Sequence, residues 1–78
     1  MLKELSNKMI YSDFINKTML TDDELNILKR LLKRESIIKI SQELNMSDRT
    51  VSRIIKNIKD KYENYKILEI AKIGIFKA

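Results

Sequence analysis

The stretch Ile37–Tyr62, IIKISQELNMSDRTVSRIIKNIKDKY, contains two apolar patterns separated by a short polar break. On both sides of the break, apolar residues recur three or four positions apart, which is typical of amphipathic helices. Asparagine accepts the left-handed conformation that ends a helix, and serine caps the start of the next one. Asn45 and Ser47 therefore predict a tight turn between two helices.

The second helix of this pair, predicted over about residues 48–62, has two different sides. At about 100° per residue, one stripe is apolar: Val51, Ile55, Ile58 and Tyr62. The opposite side carries three cations and a hydroxyl: Arg49, Ser52, Arg53 and Lys56. Such a side suits nucleic acid, but in an isolated amphipathic helix it is more often only the solvated side.

The spacing over residues 37–56 meets the demands of a helix-turn-helix. A small residue is needed where the helices cross, and Ser41 lies there. The turn needs a residue that accepts positive φ, and Asn45 lies there. Apolar residues must hold the helices together, and the candidates are Ile40, Leu44, Met46, Val51 and Ile54 or Ile55. The polar side of the second helix would then face the major groove of DNA.

Side-chain chemistry divides the polar residues into candidate base contacts and candidate phosphate contacts. Arginine pairs bidentately with guanine, and lysine or serine can reach base edges. The candidate base contacts are Ser52, Arg53, Lys56 and, next to them, Arg49. The candidate phosphate contacts are hydroxyls and lysines near them: Ser36, Lys39, Ser47, Thr50 and Lys59. Four further cations could meet phosphate or simply be solvated: Lys29, Arg30, Lys33 and Arg34.

Composition excludes several classes of function. The chain of 78 residues makes one small domain, and it contains no cysteine or histidine. We therefore expect no cofactor, no metal and no enzymatic activity. Sixteen lysines and arginines against 11 acids give a net charge of +5, which favours acidic partners such as nucleic acid or anionic membrane surfaces. No apolar run reaches the roughly 18 residues of a membrane span, so we expect a cytoplasmic, nucleoid-associated protein without membrane contact.

Helical spacing continues along the whole chain, and proline is absent, so the predicted fold is an all-α bundle. A first helix is expected over residues 2–15, with one apolar side: Leu2, Leu5, Met9, Ile10 and Phe14. The next helix starts at a capping box of Thr21 and Glu24 and runs to about Arg34. Ser36 caps a helix over 37–44.

A last helix is expected over residues 66–73, with Gly74 as its stop. It is apolar on more than one side, so one side can cover the core while another meets a second copy of the chain. The candidate dimer interface is Ile67, Leu68, Ile70, Ala71, Ile73 and Ile75. Two recognition helices would then read half-sites of an inverted repeat, about one helical turn apart.

Residues 20–62 resemble the LuxR-type (GerE-type) DNA-binding domain of bacterial transcription regulators. The matching residues are LT..E...L at 20–28, Ser36, IS..L at 40–44, S..TV at 47–51 and NI..K at 57–61. The resemblance divides the chain into an N-terminal helical extension, 1–19, and a DNA-binding domain, 20–78. In this family glycine is frequent where Arg34 stands, lysine where Ser52 stands and histidine where Ile54 stands.

The resemblance implies a four-helix domain whose third helix, here about 48–62, enters the major groove. Base-reading positions of the family fall on Ser52, Arg53 and Lys56, and a phosphate position falls on Thr50. The fourth helix commonly pairs across a two-fold axis. The expected function is thus a homodimeric transcription regulator that binds double-stranded DNA sequence-specifically, with RNA polymerase as a further candidate partner.

Two alternatives stay open on the sequence. A promoter-binding module like region 4 of sigma factors uses a similar helix-turn-helix. A protein-interaction module, such as an anti-activator or a phage-borne inhibitor, could keep the fold without binding DNA. Acidic residues on the recognition side would favour the second alternative, and only Asp48 and Asp60 are candidates.

Overall fold

The computed structural model describes the backbone of residues 3–77 and the side chains of residues 5–69. Every regular element in this part of the chain is helical. The elements are a 3₁₀ helix (Lys3–Ser6), α1 (Lys8–Lys17), α2 (Asp22–Leu32), α3 (Ile37–Leu44) and α4 (Asp48–Lys77). The prediction of an all-α bundle is confirmed.

The N-terminal segment forms two short elements, and the prediction of one helix over residues 2–15 is wrong. Asn7 starts α1, because its side-chain oxygen accepts the backbone N–H of Met9 at 2.9 Å. The new start changes which side faces the core: Leu5 and Phe14 are buried, but Met9 is 82% exposed. Leu2, which was expected on the apolar side, lies outside the described side chains.

The predicted capping box at the start of α2 is present. The Thr21 hydroxyl oxygen accepts the Glu24 N–H at 3.2 Å, and the Glu24 carboxylate accepts the Thr21 N–H at 2.9 Å. The Glu24 carboxylate therefore caps the start of α2, as the capping box predicts. Ile27 and Leu28 on the following turn are fully buried in the core.

The end of α2 lies at Leu32, two residues before the expected end, because Arg34 adopts a left-handed conformation with φ 65°. The Arg34 N–H donates to the Leu31 carbonyl at 2.9 Å, and the Glu35 N–H donates to the Arg30 carbonyl at 3.1 Å. These two bonds form a Schellman motif, whose left-handed residue is usually glycine. An arginine there costs about 1 kcal/mol relative to glycine.

The longest element, α4, is continuous over 30 residues. The prediction of a separate helix over 66–73 is wrong, and so is the expectation that Gly74 ends it, since α4 continues to Lys77. No proline lies in this segment, no glycine precedes Gly74, and no serine or threonine follows Ser52. Nothing in the local chemistry therefore breaks the helix after Tyr62.

The first helix packs against the middle of α4 through aromatic rings. Phe14 is fully buried, and its ring lies edge-on to Tyr62 at 5.3 Å and to Tyr65 at 5.4 Å between centroids. The Tyr65 hydroxyl donates to the Asp13 carboxylate. This bond, with burial, raises the pKa of Tyr65 to about 12. This contact supports α4 at Tyr62 and Tyr65, beyond the helix-turn-helix.

Candidate nucleic-acid interface

The turn between α3 and α4 has the geometry expected of a helix-turn-helix. Asn45 ends α3 with φ 54° and ψ 43°, in the left-handed region. The Met46 N–H donates to the Ser41 carbonyl at 3.0 Å, which closes the end of the helix. The Ser47 hydroxyl oxygen then accepts the Thr50 N–H at 3.1 Å and starts α4. Both sequence-based interpretations, Asn45 as turn and Ser47 as cap, are confirmed.

The two helices interlock through the residues that the spacing indicated. Ser41 is only 6% exposed, and its hydroxyl donates to the Ile38 carbonyl at 2.8 Å, so no unpaired polar group is buried at the crossing. Ile40 and Val51 are fully buried. The sequence left open which isoleucine faces the core. The structure buries both Ile54 and Ile55, while Leu44 and Met46 pack partly buried against the core.

The four candidate base contacts share one exposed side of α4, which we name the basic face: Arg49, Ser52, Arg53 and Lys56. At about 100° per residue they span roughly a quarter of the helix circumference, opposite Val51 and Ile58. None of the three cations forms an ion pair with a described residue. The basic face is therefore open to an external anionic or hydrogen-bonding partner.

The candidate phosphate contacts lie around the basic face at helix starts and edges. Ser36 caps α3 by accepting the Lys39 N–H at 3.1 Å, and both side chains are exposed. The Ser47 hydroxyl donates to the Thr50 hydroxyl oxygen at 2.9 Å, so the Thr50 hydroxyl keeps its own proton for another acceptor. Lys59 is half-buried one turn beyond Lys56.

A family model described as bacterial regulatory proteins of the luxR family (GerE) matches residues 18–73, more than two thirds of the chain. This chain belongs to the LuxR family. The matched segment contains α2, α3 and most of α4, and the LuxR-type DNA-binding domain is therefore the part that carries the helix-turn-helix. No curated protein and no solved structure matches the chain significantly.

Within the LuxR-type domain, Arg30 has a structural role. Its guanidinium donates to the Glu35 carboxylate at 3.1 Å and also to the Glu43 carboxylate. The hydrogen bond from Arg30 lowers the pKa of Glu43, and the reverse effect raises the pKa of Arg30. This pairing connects the end of α2 to α3, so the Arg30 side chain is engaged in ion pairs within the protein. The side chains of Lys29, Lys33 and Arg34 are exposed.

An ion pair between the buried Glu24 and the half-buried Lys61 is the feature that sequence reasoning missed. Glu24 is 4% exposed, and its carboxylate lies 2.6 Å from the Lys61 ammonium, which also donates to the Met19 carbonyl at 3.0 Å. Burial alone would raise the pKa of Glu24, but hydrogen bonds from Lys61 and from the Thr21 backbone bring it below its usual value. This pair fixes α4 against the start of α2.

The signal for this pair was present in the family motifs. Glu24 is the acidic residue of LT..E, and Lys61 is the basic residue of NI..K. Neither residue is among the candidate DNA contacts. Two opposite charges in separate motifs of one small domain could have suggested a pair.

The described part of the chain lacks two features, a cluster of metal ligands and a membrane-spanning helix. They contain no group of three or more acidic, histidine or cysteine side chains that could hold a metal. None of the described helices combines the length and the apolar character needed to cross a bilayer. The LuxR family to which the chain belongs is a family of DNA-binding regulatory domains rather than enzymes.

Proposed function

We propose that this protein is a sequence-specific transcription regulator that inserts the first turns of α4 into the major groove of double-stranded DNA. The observation that carries the proposal is the basic face: three exposed cations without a described carboxylate partner, on the second helix of a helix-turn-helix in a LuxR-type domain. Ser52, Arg53 and Lys56 read bases, with Arg49 next to them at the start of the helix.

Phosphate contacts on either side of the groove position the basic face. Lys39 and Lys59 supply charge, the hydroxyls of Ser36 and Thr50 donate to phosphate oxygens, and Ser47 supports the phosphate contact by donating to the Thr50 hydroxyl oxygen. The two capping serines suit this task because a helix start also attracts an anion through its free backbone N–H groups. These contacts contribute affinity without sequence preference, and the basic face supplies the discrimination.

The protein acts as a homodimer on an inverted repeat. Support comes from the C-terminal half of α4, where Ile67 is 59% exposed and Leu68 is 63% exposed. Exposed large apolar side chains next to each other favour a partner surface. The other residues of the predicted interface lie outside the described side chains: Ile70, Ala71, Ile73 and Ile75. Such a regulator acts in the cytoplasm on the nucleoid, where RNA polymerase is a candidate second partner.

Selection of bound sequences from a randomised DNA pool tests the proposal. We expect an enriched motif with two-fold symmetry and half-sites about one helical turn, roughly 34–36 Å, apart. A single unsymmetrical motif would contradict the homodimer. Failure to enrich any motif, with no gel shift on genomic fragments, would contradict DNA binding and favour the protein-interaction alternative.

The oligomeric state is tested separately by light scattering with and without the selected DNA. Replacing Ile67 and Leu68 with glutamate should convert a dimer into a monomer, because charges in an apolar interface lose solvation without gaining a partner. The variant should retain binding to one half-site and lose the extra affinity for the full site. Replacing the exposed Met9 with glutamate is the matched control, since Met9 lies on α1.

A further inference from the structure

A groove with a volume of about 670 Å³ lies between the end of α2, the start of α3 and the middle of α4. Volumes of about 300–1,000 Å³ are usual for pockets that bind ligands. We name this feature the α2–α4 groove, and four apolar side chains, two cations and one serine of the 3₁₀ helix line it: Leu31, Leu32, Ile37, Ile55, Arg34, Lys59 and Ser6. Its composition differs from that of the basic face, which is polar throughout.

The apolar part of the α2–α4 groove is incompletely covered by the protein itself. Ile37 is 39% exposed, and Leu31 and Leu32 are only partly buried against the core. The next residue of α3, Ile38, is 61% exposed. Apolar surface of this kind, bordered by polar residues, is typical of protein–protein contacts.

The charge of the groove is positive and is not neutralised locally. Arg34 and Lys59 form no ion pair with any side chain in the described range. Next to Arg34, Glu35 pairs with Arg30, and next to Lys59 neither Asp60 nor Glu63 forms an ion pair with it. Two cations therefore remain beside an apolar floor and can receive carboxylates from outside.

Arg34 has no structural reason to be an arginine. The Schellman motif at the end of α2 uses only its backbone, and the left-handed conformation with φ 65° suits glycine better. A residue held in an unfavourable conformation is a reason to look for a function of its side chain. At this position Arg34 lines the α2–α4 groove.

We propose that the α2–α4 groove binds an acidic amphipathic helix of a partner protein, a contact beyond the DNA binding proposed above that excludes the phosphate contact of Lys59 while the helix is bound. The apolar side of that helix would cover Leu32 and Ile37, and its flanking carboxylates would pair with Arg34 and Lys59. A DNA backbone would satisfy the two cations but has no apolar side to cover the floor. Charge complementarity together with the apolar floor therefore favours a protein segment.

The test uses the full chain and a fluorescein-labelled synthetic helix with leucine at positions i, i+3, i+4 and i+7 and glutamate at the remaining positions. Fluorescence anisotropy compares this helix with two controls, one with lysine for glutamate and one with serine for leucine. We expect the acidic amphipathic helix to bind at least about tenfold more tightly than either control. Equal binding of all three helices, or no binding, would overturn the proposal.

The decisive variant is Arg34→Gly. It removes the cation and also places glycine, which accepts the left-handed conformation, at the end of α2. It should raise the melting temperature and still weaken binding of the acidic helix about three- to fivefold, as expected for a partly exposed ion pair. Lys33→Gln is the matched control, since Lys33 is an exposed neighbouring cation that does not line the groove. It should change binding less than about twofold.

Binding of DNA by the same variants separates the two possible uses of Arg34. If Arg34→Gly weakens DNA binding and leaves binding of the acidic helix unchanged, Arg34 contacts phosphate and the proposal is wrong. Because the peptide assay contains no DNA, it also remains decisive if the proposed transcription regulator fails to bind any DNA sequence.

Discussion

Arg53 lies on the second turn of α4, exposed and without a carboxylate partner among the residues described. Its guanidinium can therefore pair with a base edge without first breaking an internal ion pair. Arg53→Ala should cost about 1–3 kcal/mol on the selected site, roughly 5- to 150-fold in affinity, and less than about threefold on random DNA. Anisotropy titrations on both DNAs measure the difference.

Lys39→Gln is the control for this prediction, because Lys39 is exposed at the start of α3 and is assigned to phosphate. It should weaken binding to both DNAs by a similar factor. Equal losses on both DNAs for Arg53→Ala would show that Arg53 contacts the backbone and not a base.

The ion pair between Glu24 and Lys61 makes the stability of the folded protein depend on pH. The pKa of Glu24 is lowered from 4.5 in the folded protein, so its contribution to stability is complete above about pH 4.5. It is lost as the pH falls through the lowered value, where the carboxylate is protonated in the folded state. In urea unfolding between pH 7 and pH 3, the free energy of unfolding should therefore fall more steeply with decreasing pH for the natural protein than for Glu24→Gln.

Removing the other partner tests the same pair at neutral pH. Lys61→Met leaves the Glu24 carboxylate buried with one hydrogen bond fewer, and we expect a loss of about 1–3 kcal/mol in the free energy of unfolding. Lys66→Met is the control, because Lys66 lies over the Tyr62 ring at 5.5 Å rather than beside Glu24. Parallel pH profiles for the natural protein and Glu24→Gln would contradict this account of the pair.

At the scale of elements, α1 holds the middle of α4 in place. The Phe14 ring contacts Tyr62 and Tyr65, and the Lys17 ammonium lies 3.0 Å from the Glu69 carboxylate. Phe14→Leu keeps an apolar side chain but loses the edge-on ring contacts, which are worth about 0.5–1.5 kcal/mol. Amide hydrogen exchange should accelerate in residues 62–69 of α4 while residues 48–56 keep their protection.

Tyr11→Leu provides the matched control for this element. Tyr11 is also an aromatic residue of α1, but it makes none of the ring contacts found among the described residues. It should leave exchange in α4 unchanged. Uniform acceleration along α4 in Phe14→Leu would mean that α1 stabilises the whole bundle rather than the middle of the helix.

The sequence predicted the helix-turn-helix in detail because its signals are local. Thr21, Ser36, Asn45 and Ser47 each mark a helix boundary by hydrogen bonds within a few residues, and the structure confirms all four. The side chains of the basic face are exposed as expected, although their DNA contacts stay predictions. Local chemistry was sufficient wherever a boundary depended on neighbours in sequence.

The predictions that were wrong, and the ion pair that was missed, concern features that depend on packing between distant parts of the chain. Met9 was expected in the core, but Asn7 starts α1 later and leaves Met9 exposed. A separate helix was predicted after Tyr62, although the segment contains no signal that ends a helix before Gly74. The Glu24–Lys61 pair joins residues 37 positions apart, a distance in sequence that no periodicity covers. These features depend on which surfaces meet after folding.

At the scale of the whole molecule, one helix joins two proposed activities. The basic face lies on the first turns of α4 and the exposed Ile67 and Leu68 lie toward its other end, so DNA reading and pairing share one rigid element. At about 1.5 Å per residue, Arg53 and Leu68 are roughly 22 Å apart along the helix axis. The angle between the two subunits therefore sets the separation of the two basic faces directly.

The net charge of +5 leads to a prediction about salt. Each lysine that neutralises a phosphate releases counterions, so the logarithm of the binding constant falls with that of the salt concentration, with a slope of about −0.9 per phosphate. In a dimer, Lys39→Gln should make the slope shallower by about 1.8, since both subunits lose one contact. Lys8→Gln removes the same charge from the exposed start of α1 and should leave the slope unchanged. Titrations between 50 and 200 mM salt measure both slopes, and equal slopes for the two variants would show that Lys39 lies away from the DNA backbone.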